Sequence, residues 1–406
     1  MTIRTAERPT PLIGALAVSL LAFTACGGGG DDDASEPEKE ETSAAAPAEA
    51  AEAPVDAFPV GEPFGDAVWS VDVGEGETTV SVRPDRVVVD RSHLDVTRAI
   101  QVYTPEGEEA WTHDLSEHEH PENIPVEVLE TTVAFLVDRE SEGSGLDKAQ
   151  TVTVLTLLSL ADGSVVAEVE LPDGGAVFND HGGVVFHADD GVGFVTEEGD
   201  IVEVEADVFS LQSAGLVHGA PFWVGRDYGL NTEAGAIAVP GIDQSDIFGM
   251  DVLAVDRGQG LLAVRVTHGV SVEVAYYAVE VATGQVAYEF DCADFWHTEG
   301  ETNVARNSPN GEYTVHESIW LSAAGGQCFG GGEQRTVEFR AVDDAGTAYG
   351  VVEGEGGASD DLVAVPAGGE PVVSALPEGA PIPSGVVDGG IAVHLSGTVL
   401  TGNPIL

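Results

Sequence analysis

From about residue 65 onward the apolar positions gather in short, dense runs rather than along one face of a helix. TVTVLTLLSL (151–160), GGVVFHADDGVGFV (182–195), LLAVRVTHGVSVEVAYYAVEV (261–281) and RTVEFRAV (335–342) are rich in β-branched and aromatic residues. Gly, Asp-Gly and Asn-Gly turns cut them apart, as strands require. No stretch long enough for a helix keeps an apolar helical period without β-branching or glycine. The pattern predicts an all-β chain.

The turns recur. Strand–turn–strand segments such as IQVYTPEGEEAWTHDL, TLLSLADGSVVAEVEL and YYAVEVATGQVAYEF centre on Gly107, Gly163, Gly199, Gly241, Gly284, Gly326 and Gly369. The last four intervals are 42, 43, 42 and 43 residues; the first two, 56 and 36, sum to 92. Such a period in an all-β chain points to four-stranded propeller blades. Seven turns make seven blades, and AVWSVDV (67–73) with GGIAVHLSGTVLTGNPIL (389–406) remains to close an eighth. Residues 66–406 divided by 43 give about 7.9. One eight-bladed ring with both chain ends in one blade is therefore expected. Seven blades is the alternative if the ends only complete the first, and two β-sandwiches are the rival architecture.

YTPEGEEAW, with Trp111, and VEVATGQVAY, with Tyr288 in the tryptophan place, resemble the pyrroloquinoline-quinone-type propeller repeat. NSPNGEYTV, with Asn310 in the place of Asp, is similar to the Ser-Pro-Asp-Gly start of WD-type blades. The whole looks like the lipid-anchored propeller proteins of actinobacteria. The five tryptophans, Trp69, Trp111, Trp223, Trp296 and Trp320, are expected to pack blade against blade.

Ahead of the repeats, Arg4 and Arg8 precede an uncharged apolar stretch, residues 11–25, that ends at Cys26. The stretch is too short to span a bilayer and suits a signal peptide over residues 1–25. Thr24, Ala25 and Cys26 resemble a bacterial lipobox, with Phe23 in place of the usual leucine. The resemblance implies that Cys26 becomes a lipidated first residue, placing the protein on the extracytoplasmic face of a cell membrane. Residues 26–64 are acidic and low in complexity, the composition of a disordered linker. The propeller domain is then 65–406.

Fifteen basic residues face 71 acidic ones, for a net charge of −56. Nucleic acid is excluded as a partner, because phosphate recognition needs a basic footprint. The acidity is read first as solubility with adaptation to salt; an acidic channel mouth attracting a basic, salt-sensitive ligand is the alternative. Setting Cys26 aside leaves Cys292 and Cys328, an even remainder expected to be bonded outside the cytoplasm.

Recognisable catalytic chemistry is absent from the sequence. A quinone cofactor wants basic partners and adjacent cysteines; thirteen basic residues after Cys26 are scattered singly and no Cys-Cys pair occurs. No Gly-x-Ser-x-Gly elbow is present. No cofactor is expected. THDLSEHEHPE offers His113, His118 and His120 as metal candidates, since imidazoles two apart share one side of a strand; a solvated inter-blade loop is the plainer reading. DCADFWH sets Phe295, Trp296 and His297 beside a bonded cysteine, where a rigid aromatic loop could line a binding face. Two functions stay open: a non-enzymatic, monomeric binding or assembly module for a protein, peptide or glycan, or an extracytoplasmic enzyme with a metal or hydrolytic site built from loops.

Overall fold

The computed structural model describes residues 4–5 and 58–406, apart from 94–96, 119, 142–149, 172–175, 179–182, 189–190, 207–212, 226–228, 270–272, 293–304, 331–335 and 353–360. Cys26 and the linker as far as residue 57 lie outside the described residues, whereas Phe64 at its end is buried. The rest forms eight antiparallel sheets arranged as the blades of a propeller. Strands are lettered a to d in each blade, from the axis outward.

Blade 1 is Glu77–Arg83, Arg86–His93, Thr97–Tyr103 and Glu109–Asp114. Blade 2 is Val126–Val128, Thr132–Ser141, Gln150–Ser159 and Val165–Leu171. Blade 3 is Ala176–Phe178, Val184–Ala188, Gly191–Val195 and Ile201–Val204, with the two residues Arg4–Thr5 paired along its outer edge. Blade 4 is Ser213–Val217, Ala220–Val224, Leu230–Thr232 and Gly235–Ala236. Blade 5 is Ile247–Asp256, Leu261–His268, Glu273–Glu280 and Gln285–Phe290. Blade 6 is Arg306–Asn307, Tyr313–His316, Ile319–Ser322 and Gly325–Cys328. Blade 7 is Val337–Val342, Ala348–Val352, Asp361–Val365 and Val372–Ala375. Blade 8 takes Pro383–Val387, Ile391–Ser396 and Val399–Pro404 from the C-terminus and Trp69–Asp72, as its outermost strand, from the N-terminal side.

Both chain ends thus share blade 8, with Trp69 opposite Gly402 and Phe64 bridging Ile405. Asn403 adds a side-chain bond from Nδ2 to the Gly65 carbonyl at 2.9 Å. Eight blades and this closure are the expected arrangement.

The core is divided into eight wedges, one for each blade-to-blade seam. Val88, Ile100 and Val102 of blade 1 meet Val133 and Phe135 of blade 2, and Phe194 of blade 3 meets Trp223 of blade 4. Trp69 and Leu400 of blade 8 meet Val80 and Val87 of blade 1, which closes the ring. A central strand is therefore covered on both faces, so GVGFV and AYGVV are buried at every position. Outer strands such as EAWTHD alternate. This double burial explains why the sequence shows dense apolar runs instead of clean alternation.

Around the perimeter, aromatic residues of strand d lock onto the c–d turn of the next blade. Trp69 Nε1 donates to the Pro105 carbonyl at 2.8 Å, Trp111 Nε1 to that of Leu160 at 3.0 Å, and Tyr288 OH to that of Ser322 at 2.8 Å. The indoles lie directly over turn glycines. A Cβ on Gly107 would come within 2.6 Å of Trp69, and one on Gly163 within 2.8 Å of Trp111. Both glycines also hold positive φ, 82° and 70°, so two constraints exclude a side chain there.

Of the seven glycines that mark the repeat, Gly107, Gly163, Gly199 and Gly284 sit in c–d turns with positive φ, and Gly369 shares its turn with Gly368. Gly241 and Gly326 are displaced: the first follows strand d of blade 4, and the second is within strand d of blade 6, opposite Leu321. Blades 4 and 6 use a different turn, in which Thr232 or Ser322 accepts a bond from the amide two residues on and donates to the carbonyl of Gly235 or Gly325.

Cys292 and Cys328 are bonded, with Cα atoms 5.1 Å apart. They join the outer strands of blades 5 and 6 and enclose residues 293–304. Phe295, Trp296 and His297 lie in that span, outside the described residues.

Candidate ligand pocket on the ring axis

The a–b turns of opposite blades meet at one end of the axis. In blade 1, VRPDR turns at Pro84 and Asp85, leaving arginines on both sides. Arg83 donates from Nε to the Leu129 carbonyl at 2.7 Å and from a terminal nitrogen to that of Val128. Arg86 reaches the Leu160 and Ala161 carbonyls at 3.2 and 3.3 Å. Both thus grip blade 2. There, the Glu197 carboxylate of blade 3 accepts from the Glu130 and Thr131 amides at 2.9 and 2.6 Å.

Blade 5 turns through Asp256-Arg257-Gly258-Gln259-Gly260, and blade 6 through Ser308-Pro309-Asn310-Gly311. Gln259 Nε2 binds the Gly311 carbonyl at 2.9 Å. At Gly258 an added Cβ would fall 2.1 Å from that same oxygen, so the two turns pack backbone to backbone. NSPNGEYTV is this blade 6 turn. Its Asn310 Oδ1 accepts from the Glu312 amide at 2.9 Å, which is the cap that an Asp would provide.

These turns enclose a cavity of about 290 Å³ whose wall includes Arg83, Glu130, Arg257, Asn307, Ser308 and His316. A neighbouring cavity of about 150 Å³ shares Glu130 and Arg257 and adds Glu197, Glu198 and His218. In an eight-membered ring blade 1 faces blade 5 and blade 2 faces blade 6, so Arg83 opposes Arg257, and Glu127 opposes Arg306. Burial first, then the charges of Arg257 and Arg306, pushes Arg83 down to about 9, while Glu127 and Glu197 pull it up. Burial, then Arg340, pushes Arg306 down to about 10 against the pull of Glu127. All remain cations at neutral pH. Arg340 is paired with Glu338 on its own strand. The Arg306 backbone pairs with Val315, and Glu127 is the acid that acts on its side-chain charge.

Asp256 ends strand a of blade 5. It is fully buried; Oδ1 accepts from the Gln259 amide at 3.1 Å, and Oδ2 has no partner. Burial pushes this carboxyl up to about 6, against the opposing pull of the Gln259 amide, Thr314, the Gly258 amide and His218. Asp256 belongs to the wall of neither cavity.

The histidine candidates are elsewhere. His113 and His118 both lie against Phe135, with ring centres at 5.3 and 6.2 Å. Burial and the His118 charge lower the His113 pKa. His120 is exposed at φ 55° before the short turn Pro121–Asn123. Arg98, paired bidentately with Asp90 at 2.9 and 2.6 Å, pins this loop through the Pro121 carbonyl. No group of three or more metal-capable side chains forms among the described residues.

The cavity wall carries two arginines, Arg83 and Arg257, beside Glu130. Arg83, Arg257, Arg306 and Arg340 are far apart in sequence, and each precedes a turn signal: RPDR, RGQG, RNSPNG and RAVDDAG. Once the blades are in register, every one of them falls at or just beyond strand a, nearest the axis. Blade register was the signal that could have found them.

No family model matches the chain, and no curated protein matches it. Among solved structures, an uncharacterized protein of Listeria monocytogenes aligns at 11% identity and a TM-score of 0.36, over 81% of this chain and 92% of that one. The Dos1 propeller aligns at 7% and 0.42, over 83% and 94%. Dipeptidyl peptidase 4 of Porphyromonas gingivalis aligns at 12% and 0.42, over 82% of this chain and 56% of that one.

Proposed function

We propose that the protein is a lipoprotein, anchored through Cys26 outside the cytoplasm, whose propeller is a non-enzymatic binding module. The observation that carries this reading is the axial pocket, where turns from four blades converge on a recessed cavity with positioned side chains. Small-molecule and peptide sites favour such concave, preformed places. Trp69, Trp111 and Tyr288 act alike around the rim, which supports the resemblance to the quinone-type repeat and its lipid-anchored relatives. The anchor rests on the apolar stretch that ends at Cys26 and on the acidic linker after it.

A second reading, an enzyme, is favoured by Asp256, because a carboxyl raised towards neutrality suits acid–base work. Its position off both cavity walls weighs against that role. Photocrosslinkers at Glu130 and at Val165, used on intact cells, test the binding reading. Capture of one partner from position 130 and not from 165 is expected; equal capture from both, or none, overturns it. Cys26→Ser should shift the protein out of the membrane fraction, and unchanged fractionation would refute the anchor.

A further inference from the structure

We propose that residues 58–68, through which the linker reaches the ring, form a strap over the seam of blades 7 and 8 that acid releases, with His394 as its sensor. This goes beyond the binding-module reading and does not rest on it.

The strap is held at a few points. The Gly65 and Val68 amides donate to the Pro404 and Gly402 carbonyls at 2.8 and 2.9 Å, and the Leu406 amide donates to the Pro63 carbonyl at 3.0 Å. Ser374 of blade 7 donates from Oγ to the Glu62 carbonyl at 3.1 Å. Phe64 is the buried anchor. Its ring enters the wedge formed by Ala341, Tyr349 and Leu362 of blade 7 with Val386 and Ala392 of blade 8.

His394 lies beneath that anchor, edge-on to Phe64 with ring centres 4.9 Å apart. It is fully buried, and neither ring nitrogen has a hydrogen-bond partner. Asn403 stands beside it, but Oδ1 already accepts from the Thr401 hydroxyl at 2.8 Å and Nδ2 donates to the Gly65 carbonyl of the strap. Its own strand, IAVHLS, and both neighbours, PSGVV and VLTGNP, carry no charged side chain. Blade 7 presents Tyr349, whose hydroxyl donates to Asp343 Oδ2 at 2.7 Å. Glu62 and Asp66 of the strap are exposed.

A protonated ring at this place needs an acceptor or water. Packed side chains and paired strands close the other sides, so water enters by displacing Phe64. Turning Asn403 toward the ring disturbs its bond to Gly65, which loosens the same strap. Burial accordingly lowers the His394 pKa to about 4, against the opposing pull of the Asn403 side chain and the Ala392 backbone. The closed strap favours the neutral ring, whereas an opened strap lets it take a proton near its ordinary value of 6.5. Closure is therefore full above pH 6.5 and weakens as pH falls toward 4. Trp69, next along the chain, is fixed through Nε1 to the Pro105 carbonyl of blade 1, so the ring stays shut when the strap leaves. What opens is the apolar wedge under Phe64.

The test is hydrogen–deuterium exchange of the detergent-solubilised full chain at pH 7 and pH 5, read by mass spectrometry and corrected for the intrinsic pH dependence of amide exchange. Peptides covering residues 60–68 should exchange about twentyfold faster at pH 5 after that correction, and recover at pH 7. The outer strand of blade 1, Glu109–Asp114, should keep its protection. His394→Leu should abolish the acid response; should it fail to fold, His394→Gln serves the same purpose. Phe64→Ala should speed exchange of the strap at both pH values. An unchanged strap in the wild type, or an equal acid response in the His394 variant, overturns the proposal. So does an equal acid response in every blade, which would mean that the ring melts as a whole.

Discussion

The perimeter and the axis of the ring join the same blades by different chemistry. At the perimeter an indole or phenol lies over a glycine turn and spends its single donor on one carbonyl, as Trp111 does on Leu160. At the axis Arg83 reaches the Val128 and Leu129 carbonyls with a permanent charge and leaves a cavity beside it. Apolar wedges and aromatic locks are dense and indifferent to solutes. The axis is recessed and mixes arginines with the acids Glu127 and Glu130. The rim and seams are therefore closed by packing, whereas the axis keeps a cavity.

Four measurements can break or sharpen that division. The largest effect is expected at the rim, where Cys292→Ser with Cys328→Ser removes a closed loop with a sequence separation of 36. A loss of about 3–4 kcal/mol in denaturant unfolding should follow. Trp111→Ala comes next. Losing a half-buried indole and its hydrogen bond should cost about 3 kcal/mol.

Asp256→Asn, near the axis, should act in the opposite direction. Burial raises this carboxyl from 3.8 to about 6, so the stability of its protonated form is present below the unfolded value and lost as pH rises through 6. The variant should gain about 2–3 kcal/mol at pH 7.5, and the gain should vanish near pH 4. A constant gain at all pH values would contradict the assignment.

His394 supplies the counterpart in the seam of blades 7 and 8, where its ring meets Phe64 edge-on at 4.9 Å. Burial lowers it from 6.5 to about 4. A base with a depressed folded pKa is fully stabilising above its unfolded value and loses that as pH falls. Wild type should lose about 2 kcal/mol between pH 7 and pH 5, a slope that His394→Leu abolishes. Acid should thus weaken the seam at His394 while it relieves Asp256.

The same division explains what could be read from the chain alone. Fold class, period, blade number, ring closure and the Cys292–Cys328 bond follow from local patterns, because a blade is a local structure repeated. Gly107 and Gly163 mark turns for reasons written in their own segments. Gly241 and Gly326 went astray because blades 4 and 6 turn at Gly235 and Gly325, braced by the Thr232 and Ser322 hydroxyls. The axis was hidden for another reason. Arg83 and Arg257 are 174 positions apart, and only closing the ring sets them face to face. A whole-chain charge also says nothing about where the few cations sit. The spacing offered His118 and His120 as neighbours on one side of a strand, whereas His118 packs with His113 against Phe135 and His120 is exposed.

The seam in blade 8 has a consequence for the order of events in a newly made chain. Trp69 pairs with Gly402, so the outermost strand must wait for 333 further residues before its partner exists. At ribosomal speeds that wait is on the order of tens of seconds. Until then blade 1 has no neighbour on one side, and open strand edges from successive blades face the surrounding solution, a state in which chains readily stick together. A net charge of −56 makes such nascent chains repel one another. That repulsion acts throughout the interval before the ring is sealed.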